Sequence, residues 1–224
     1  MDLAEFAKKV REKDFNANDL CDFVCCTYGI NDKKPFVVKE SYYIGFKGIK
    51  IYRGLNCTPE VFNDYVEKFA FGDMFLVNRL SVLGQGFYFA DKKFVASYYT
   101  NDAKLGLIKK PIISAKIMPD AKFITKNKLN VEFRNNIRKI KTEMLVKFDG
   151  LLTEDEVNNF VEMLNSFADP IVKGTILGYD GLISSYPNKR NGNIYLVFNR
   201  GKLLMSETEI QSVKTEIEPY IQFD

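Results

Sequence analysis

One stretch limits what this chain can become more than any other. It runs Leu83-Gly84-Gln85-Gly86-Phe87-Tyr88-Phe89-Ala90-Asp91 and is followed closely by Ala96-Ser97-Tyr98-Tyr99. Glycine ahead of a strand lets the backbone bend, or approach another group closely, because no Cβ stands in the way. Phe87-Tyr88-Phe89-Ala90 then reads as a short buried strand. Alternation puts Tyr88 on one face and Phe87 and Phe89 on the other. Lys92 to Thr100 reads as a short helix that returns Ala96 and Tyr98 towards the strand. Two tyrosines brought together in this way can sandwich a flat ring, each offering a π face and a hydroxyl. From spacing alone, the plainer reading is a core strand with packed aromatics.

A second segment, Ile49-Lys50-Ile51-Tyr52-Arg53-Gly54-Leu55, alternates so that Ile49, Ile51 and Arg53 share a face. An arginine that continues an apolar face needs a partner, because burying the bare charge is costly. The alternative is a strand-end arginine with its head in solvent. Ahead of this strand, Tyr42 to Phe46 reads as further strand material, with turn glycines at Gly45 and Gly48. A third segment, Gly178-Tyr179-Asp180-Gly181-Leu182-Ile183, is a turn into a strand. A polar loop from Ser184 to Gly192 separates it from the strand Asn193-Ile194-Tyr195-Leu196-Val197-Phe198.

Together these segments resemble the donor-site motifs of the ADP-ribosyltransferase superfamily. Gly86-Phe87-Tyr88-Phe89-Ala90 is similar to the polymerase-like branch, and Tyr52-Arg53-Gly54 stands where the toxin-like branch carries its first arginine. Such mixed forms resemble bacterial and phage members. The resemblance runs from Ile49 to Phe198. It implies an α+β fold, a split β-sandwich of two small antiparallel sheets around a cleft for NAD. It implies that Arg53, Gly54, Leu55, Gly86, Phe87, Tyr88 and Tyr98 bind NAD, with Tyr88 and Tyr98 flanking the nicotinamide and Arg53 clamping a phosphate or ribose oxygen. The family opens its downstream strand with a catalytic glutamate, which would stabilise charge as nicotinamide leaves. That position is Ile194 here. Some polymerase-like members carry isoleucine there and transfer single ADP-ribose units. The expected catalytic set is therefore Arg53, Tyr88 and Asn193.

The resemblance thus implies a mono-ADP-ribosyltransferase that uses NAD as substrate and modifies a macromolecule, a protein before a nucleic acid. The alternatives are an NAD-binding or inhibitory protein that turns over weakly or not at all, and an NAD glycohydrolase. A nucleic-acid acceptor would find its footing between Lys122 and Lys141, where seven basic residues face Glu132 alone, a local charge of +6. A solvated helix face is the plainer account of that run.

Composition removes other chemistries. The chain has no histidine, which excludes His-based triads, His metal sites and the usual pH switch. A zinc site would need all four cysteines, Cys21, Cys25, Cys26 and Cys57, so no metal is expected. Reduced thiols fit a cytoplasmic protein, in a host cell if the chain is a phage or bacterial effector. Met1-Asp2-Leu3-Ala4-Glu5 lacks the apolar run of a leader, and no segment approaches the length of a membrane span. The 224 residues are expected to form a single domain. A helical pair is expected over residues 1–32 and a helical insertion over 130–170.

Overall fold

The computed structural model describes residues 2–30, 32–56, 59–72, 85–100, 112–185 and 192–215. The fold is α+β. The strands are β1 (Phe36–Val38), β2 (Ile49–Gly54), β3 (Phe87–Ala90), β4 (Ile112–Ile117), β5 (Phe123–Ile124), β6 (Gly181–Ser185), β7 (Asn193–Val197) and β8 (Leu203–Ser206). They form one mixed sheet in the order β1-β8-β4-β2-β3-β7-β6-β5. The expected pair of small sheets is thus one continuous ladder, but a strongly pinched one. β2 pairs with β4 along its whole length, whereas β2 and β3 share the single register pair Tyr52–Ala90. Two four-stranded halves meet at that seam.

The register settles the faces. Ile49, Ile51 and Arg53 stand opposite Ile117, Ala115 and Ile113 of β4. Phe87 and Phe89 stand opposite Val197 and Tyr195 of β7. These residues mark the inner face of the sheet, which carries most of its fully buried side chains. At the seam this face is covered by α4 (Pro59–Ala70), whose Phe69 meets Phe87 edge-on at 5.3 Å between ring centres. The other face presents Lys50, Tyr52 and Gly54 from β2, Tyr88 and Ala90 from β3, and Ile194 from β7.

The helical pair expected at the N-terminus is α1 (Leu3–Glu12) and α2 (Ala17–Thr27). Asp2 caps the first by accepting from the Glu5 amide, and Asn16 and Asp19 form a reciprocal capping box on the second. Phe6 and Phe23 stack at 3.8 Å between ring centres and carry the pair onto Phe148 and Phe160. The helical insertion is longer than the expected 130–170. Between β5 and β6 lie α6 (Lys126–Asn135), α7 (Ile137–Lys147), α8 (Glu154–Phe167) and α9 (Pro170–Ile176).

Tyr42 to Phe46 is not a strand. Residues Glu40–Gly45 form the short helix α3. The run is apolar, but only Tyr43 is buried while Tyr42 and Ile44 face solvent, which is the pattern of one helical turn rather than of alternation. The short edge strand β1 follows directly on the polar Lys33-Lys34-Pro35, and β8 runs directly into α10 (Glu207–Thr215). α5 (Lys93–Ser97) follows β3 as expected. Among the described residues no helix is long and apolar enough to cross a membrane.

Candidate functional site

The seam collects the three segments singled out in the sequence. Tyr52 of β2 pairs with Ala90 of β3, and Ala90 pairs with Ile194 of β7. α5 packs on both β2 and β3. Its approach explains Gly54: a Cβ there would lie 2.1 Å from the Ala96 carbonyl oxygen, so only glycine admits the helix. Gly86 has φ +145°, and a Cβ there would lie 2.7 Å from Leu196 Cδ1. Both glycines of the expected NAD set therefore have packing reasons in this chain. Leu83 and Gly84, at the head of the quoted motif, lie outside the described residues.

Arg53 emerges on the inner face. Its Nε and Nη2 donate to the Tyr65 hydroxyl of α4 at 3.1 and 2.9 Å. Its Nη1 donates to the Tyr88 backbone carbonyl at 3.1 Å. The guanidinium lies 5.7 Å from the centre of the Phe87 ring and 5.9 Å from that of Tyr65. Arg53 thus reaches the backbone of Tyr88 across the seam, while the Tyr88 ring belongs to the opposite face. It is half-buried and fastens β2, β3 and α4 together.

The two tyrosines of the expected cradle differ in burial. Tyr88 is half-buried and packs against the core. Tyr98 caps the end of α5 and is 76% exposed, and the ring it meets is Phe94, edge-on at 6.4 Å. Leu55 and Phe87 are buried in the core.

Asn193 is a clamp. Its backbone amide and Nδ2 donate to the two oxygens of Asp91 at 3.1 and 3.2 Å, and its Oδ1 accepts from Ser185 at 2.8 Å. Asp91 closes the quoted motif in the sequence, and its pairing with the head of β7 was not anticipated there. Asp180 is buried and accepts from the Lys122 amide and from Asn199 Nδ2, holding β5 against the turn after β7. Ile194 is half-buried on the face shared with Tyr88.

Sequence reasoning passed over two residues of that face, Tyr52 and Lys50. The signal was available, because the alternation that turned Arg53 inward turns these two outward with Tyr88. Lys50 Nζ pairs with Glu209 of α10 at 2.8 Å and lies 5.7 Å from the centre of the Tyr52 ring. Burial alone would lower the Lys50 pKa, but the Glu209 hydrogen bond and neighbouring charges raise it above the usual lysine value.

In the run from Lys122 to Lys141, Lys139 pairs with Glu143 at 3.6 Å and Lys141 with Glu162 at 3.0 Å. Both acids lie outside the window that made the run look unbalanced, so part of its charge is answered within the protein. In α2, Cys21 and Cys25 are buried with their sulfurs 4.0 Å apart. The hydrogen bond to Cys25, and then burial, push the Cys21 thiol well above its ordinary pKa, which disfavours the thiolate.

Set beside known proteins, the chain matches no family model, no curated protein and no solved structure.

Proposed function

We propose that the seam between β2 and β3 is a donor site for NAD and that the protein is a mono-ADP-ribosyltransferase built on an ADP-ribosyltransferase-like split sheet. One observation carries the reading. Three segments from distant parts of the chain, each similar to a donor-site motif, meet around the single pair Tyr52–Ala90. The nicotinamide would lie against the face of Tyr88, beneath α5, with Tyr98 free to fold over it from the end of that helix. Arg53 is a positioning residue in this scheme, because its contacts to Tyr65 and to the Tyr88 carbonyl set the spacing of the seam. The acceptor is a macromolecule, with a protein favoured over a nucleic acid because the basic run is partly neutralised.

The second reading, a binder that hardly turns NAD over, has its own support. No carboxylate stands at Ile194, and Asp91, the acid held at the head of β7, is tied to Asn193. Cleavage of the nicotinamide–ribose bond needs charge stabilisation that forms in the transition state. Ile194→Glu supplies a carboxylate on the Tyr88 face. Calorimetry with NAD and an assay of nicotinamide release, run on wild type and Ile194→Glu, decide between the readings. NAD binding by both proteins, with faster nicotinamide release by the variant, supports the donor site. A folded variant that binds NAD but releases no more nicotinamide counts against the placement of β7 at the reacting centre. No NAD binding by the wild type ends the proposal.

A further inference from the structure

The outer face of β2 carries a polar assembly that the donor-site motifs do not include. Tyr52 stands directly opposite Ser114 of β4, and Lys50 opposite Lys116. One oxygen of Glu209 accepts from Lys50 at 2.8 Å, and the other accepts from the Ser114 hydroxyl. Ser114 is also 3.4 Å from the hydroxyl of Tyr43 on α3. The Lys50 amine lies between two rings, 5.5 Å from the centre of Tyr43 and 5.7 Å from that of Tyr52.

The two lysines of this row differ in what they do. Lys116 donates to the carbonyls of Tyr43, Ile44 and Phe46 and so closes the end of α3. Among the described residues Lys50 holds, besides the two rings, the Glu209 carboxylate, and the pair is about one-third exposed, 37% for the Lys50 side chain and 33% for that of Glu209. Such a pair is easily exchanged for another anion, because a half-exposed ion pair contributes little net stability. Arg53, the cation first expected to meet a phosphate, is on the other face with its donors engaged.

We infer that Lys50 is the cation that receives the pyrophosphate of a dinucleotide lying along the outer face of β2, and that Glu209 is the resident counter-ion which the ligand displaces. This rests on the donor-site reading and extends it. The strand distance from Gly54 to Lys50 is about 13 Å, at about 3.3 Å per residue. That length suits an elongated ligand with a ring held against Tyr88, near the end of the strand that α5 covers, and its phosphates further along, over Tyr52. Lysine is a compact point charge suited to phosphate oxygens.

The test is calorimetry with NAD, and separately with nicotinamide, on wild type, Lys50→Met and Glu209→Gln. Lys50→Met should weaken NAD binding at least about tenfold and leave nicotinamide binding unchanged, because nicotinamide has no phosphate. Glu209→Gln should tighten NAD binding a few-fold, since Lys50 no longer has a competing anion. If wild type and Lys50→Met bind NAD equally, the inference is overturned and the donor site stands. If the wild type binds no NAD, both fall. Should Lys50→Met melt at a markedly lower temperature, Glu209→Gln decides, and an unchanged NAD affinity there overturns the inference.

Discussion

Two arginines flank the same aromatic ring and are used differently. The guanidinium of Arg53 lies 5.7 Å from the centre of Phe87, and that of Arg200 lies 5.6 Å from it. Arg200 is 1% exposed and donates to the carbonyls of Lys68, Phe69 and Gly72. Those oxygens belong to the last turn of α4 and the residues just beyond it, where a helix leaves its carbonyls without intrahelical partners and its dipole favours a cation. Arg53 is half-buried and shares its donors between a side chain of α4 and a strand carbonyl at the seam. Arg200 therefore fixes where α4 ends, and Arg53 fixes how far β3 stands from β2. A charged group can be buried for architecture alone when polar groups of its own chain surround it.

The largest effect should come from Arg200. Arg200→Met keeps much of the apolar stem but leaves the carbonyls at the end of α4 without their donor. Each buried acceptor left unsatisfied costs about 1–3 kcal/mol, so the loss should reach at least about 3 kcal/mol. Urea unfolding measures it. A loss below about 1 kcal/mol would mean that water replaces the guanidinium and that the comparison overrates its burial.

Arg53 should cost less to stability and more to the seam. Arg53→Met is expected to destabilise by about 1–2 kcal/mol and Tyr65→Phe by about 1 kcal/mol. The double variant should lose less than their sum, because both remove the same hydrogen bonds. The proposed NAD binding sharpens the result. If the seam is the donor site and Arg53 acts by setting it, Tyr65→Phe should weaken NAD in parallel with Arg53→Met. If Arg53→Met alone abolishes binding while Tyr65→Phe binds normally, Arg53 touches the ligand itself and must turn away from Tyr65 to do so.

This contrast also marks how much was legible before the structure. The strands β2, β3, β6 and β7 were legible because each carries alternation or a dense β-branched and aromatic run between turn residues. The inward direction of Arg53 was legible too, since it continues the face of Ile49 and Ile51. Its partner was not, because Tyr65 is a helix residue whose proximity depends on how α4 lies across the sheet. Arg200 gave no signal at all. It sits in a polar turn, Asn199-Arg200-Gly201, and its acceptors are backbone groups more than a hundred residues away. The exposed state of Tyr98 was likewise hidden, since spacing says that it follows β3 by one short helix but not which way the last turn faces. Side-chain partners across long separations depend on tertiary geometry, which periodicity does not encode.

The smallest effect belongs to the anionic counterpart of the same arrangement. Asp169 caps α9 and is held by backbone amides, accepting from Ile171 at 2.9 Å and from Gln85 at 3.2 Å, so it ties the glycine turn before β3 to the helical insertion. If carbonyls can carry a buried guanidinium, amides should carry a buried carboxylate, but here burial outweighs them and the Asp169 pKa is raised above the ordinary carboxylate value. The sign follows from linkage. A carboxyl whose folded pKa exceeds its unfolded value favours the fold most when protonated, below the unfolded value, and that contribution is lost as pH rises through the folded pKa. At neutral pH the wild type therefore bears the cost of a partly buried charge. Asp169→Asn keeps an acceptor for Ile171 and removes the charge. It should be as stable as wild type at pH 7.5, or more stable by up to about 1 kcal/mol, and the wild type should gain on it as pH falls towards 4. Thermal melting of the two proteins at both pH values reads the slope directly. A wild type that is the more stable at pH 7.5 and loses that advantage on acidification would reverse the sign. The amides of Gln85 and Ile171 would then hold the anion as firmly as the end of α4 holds Arg200, and the two kinds of helix terminus would be equivalent hosts for charge.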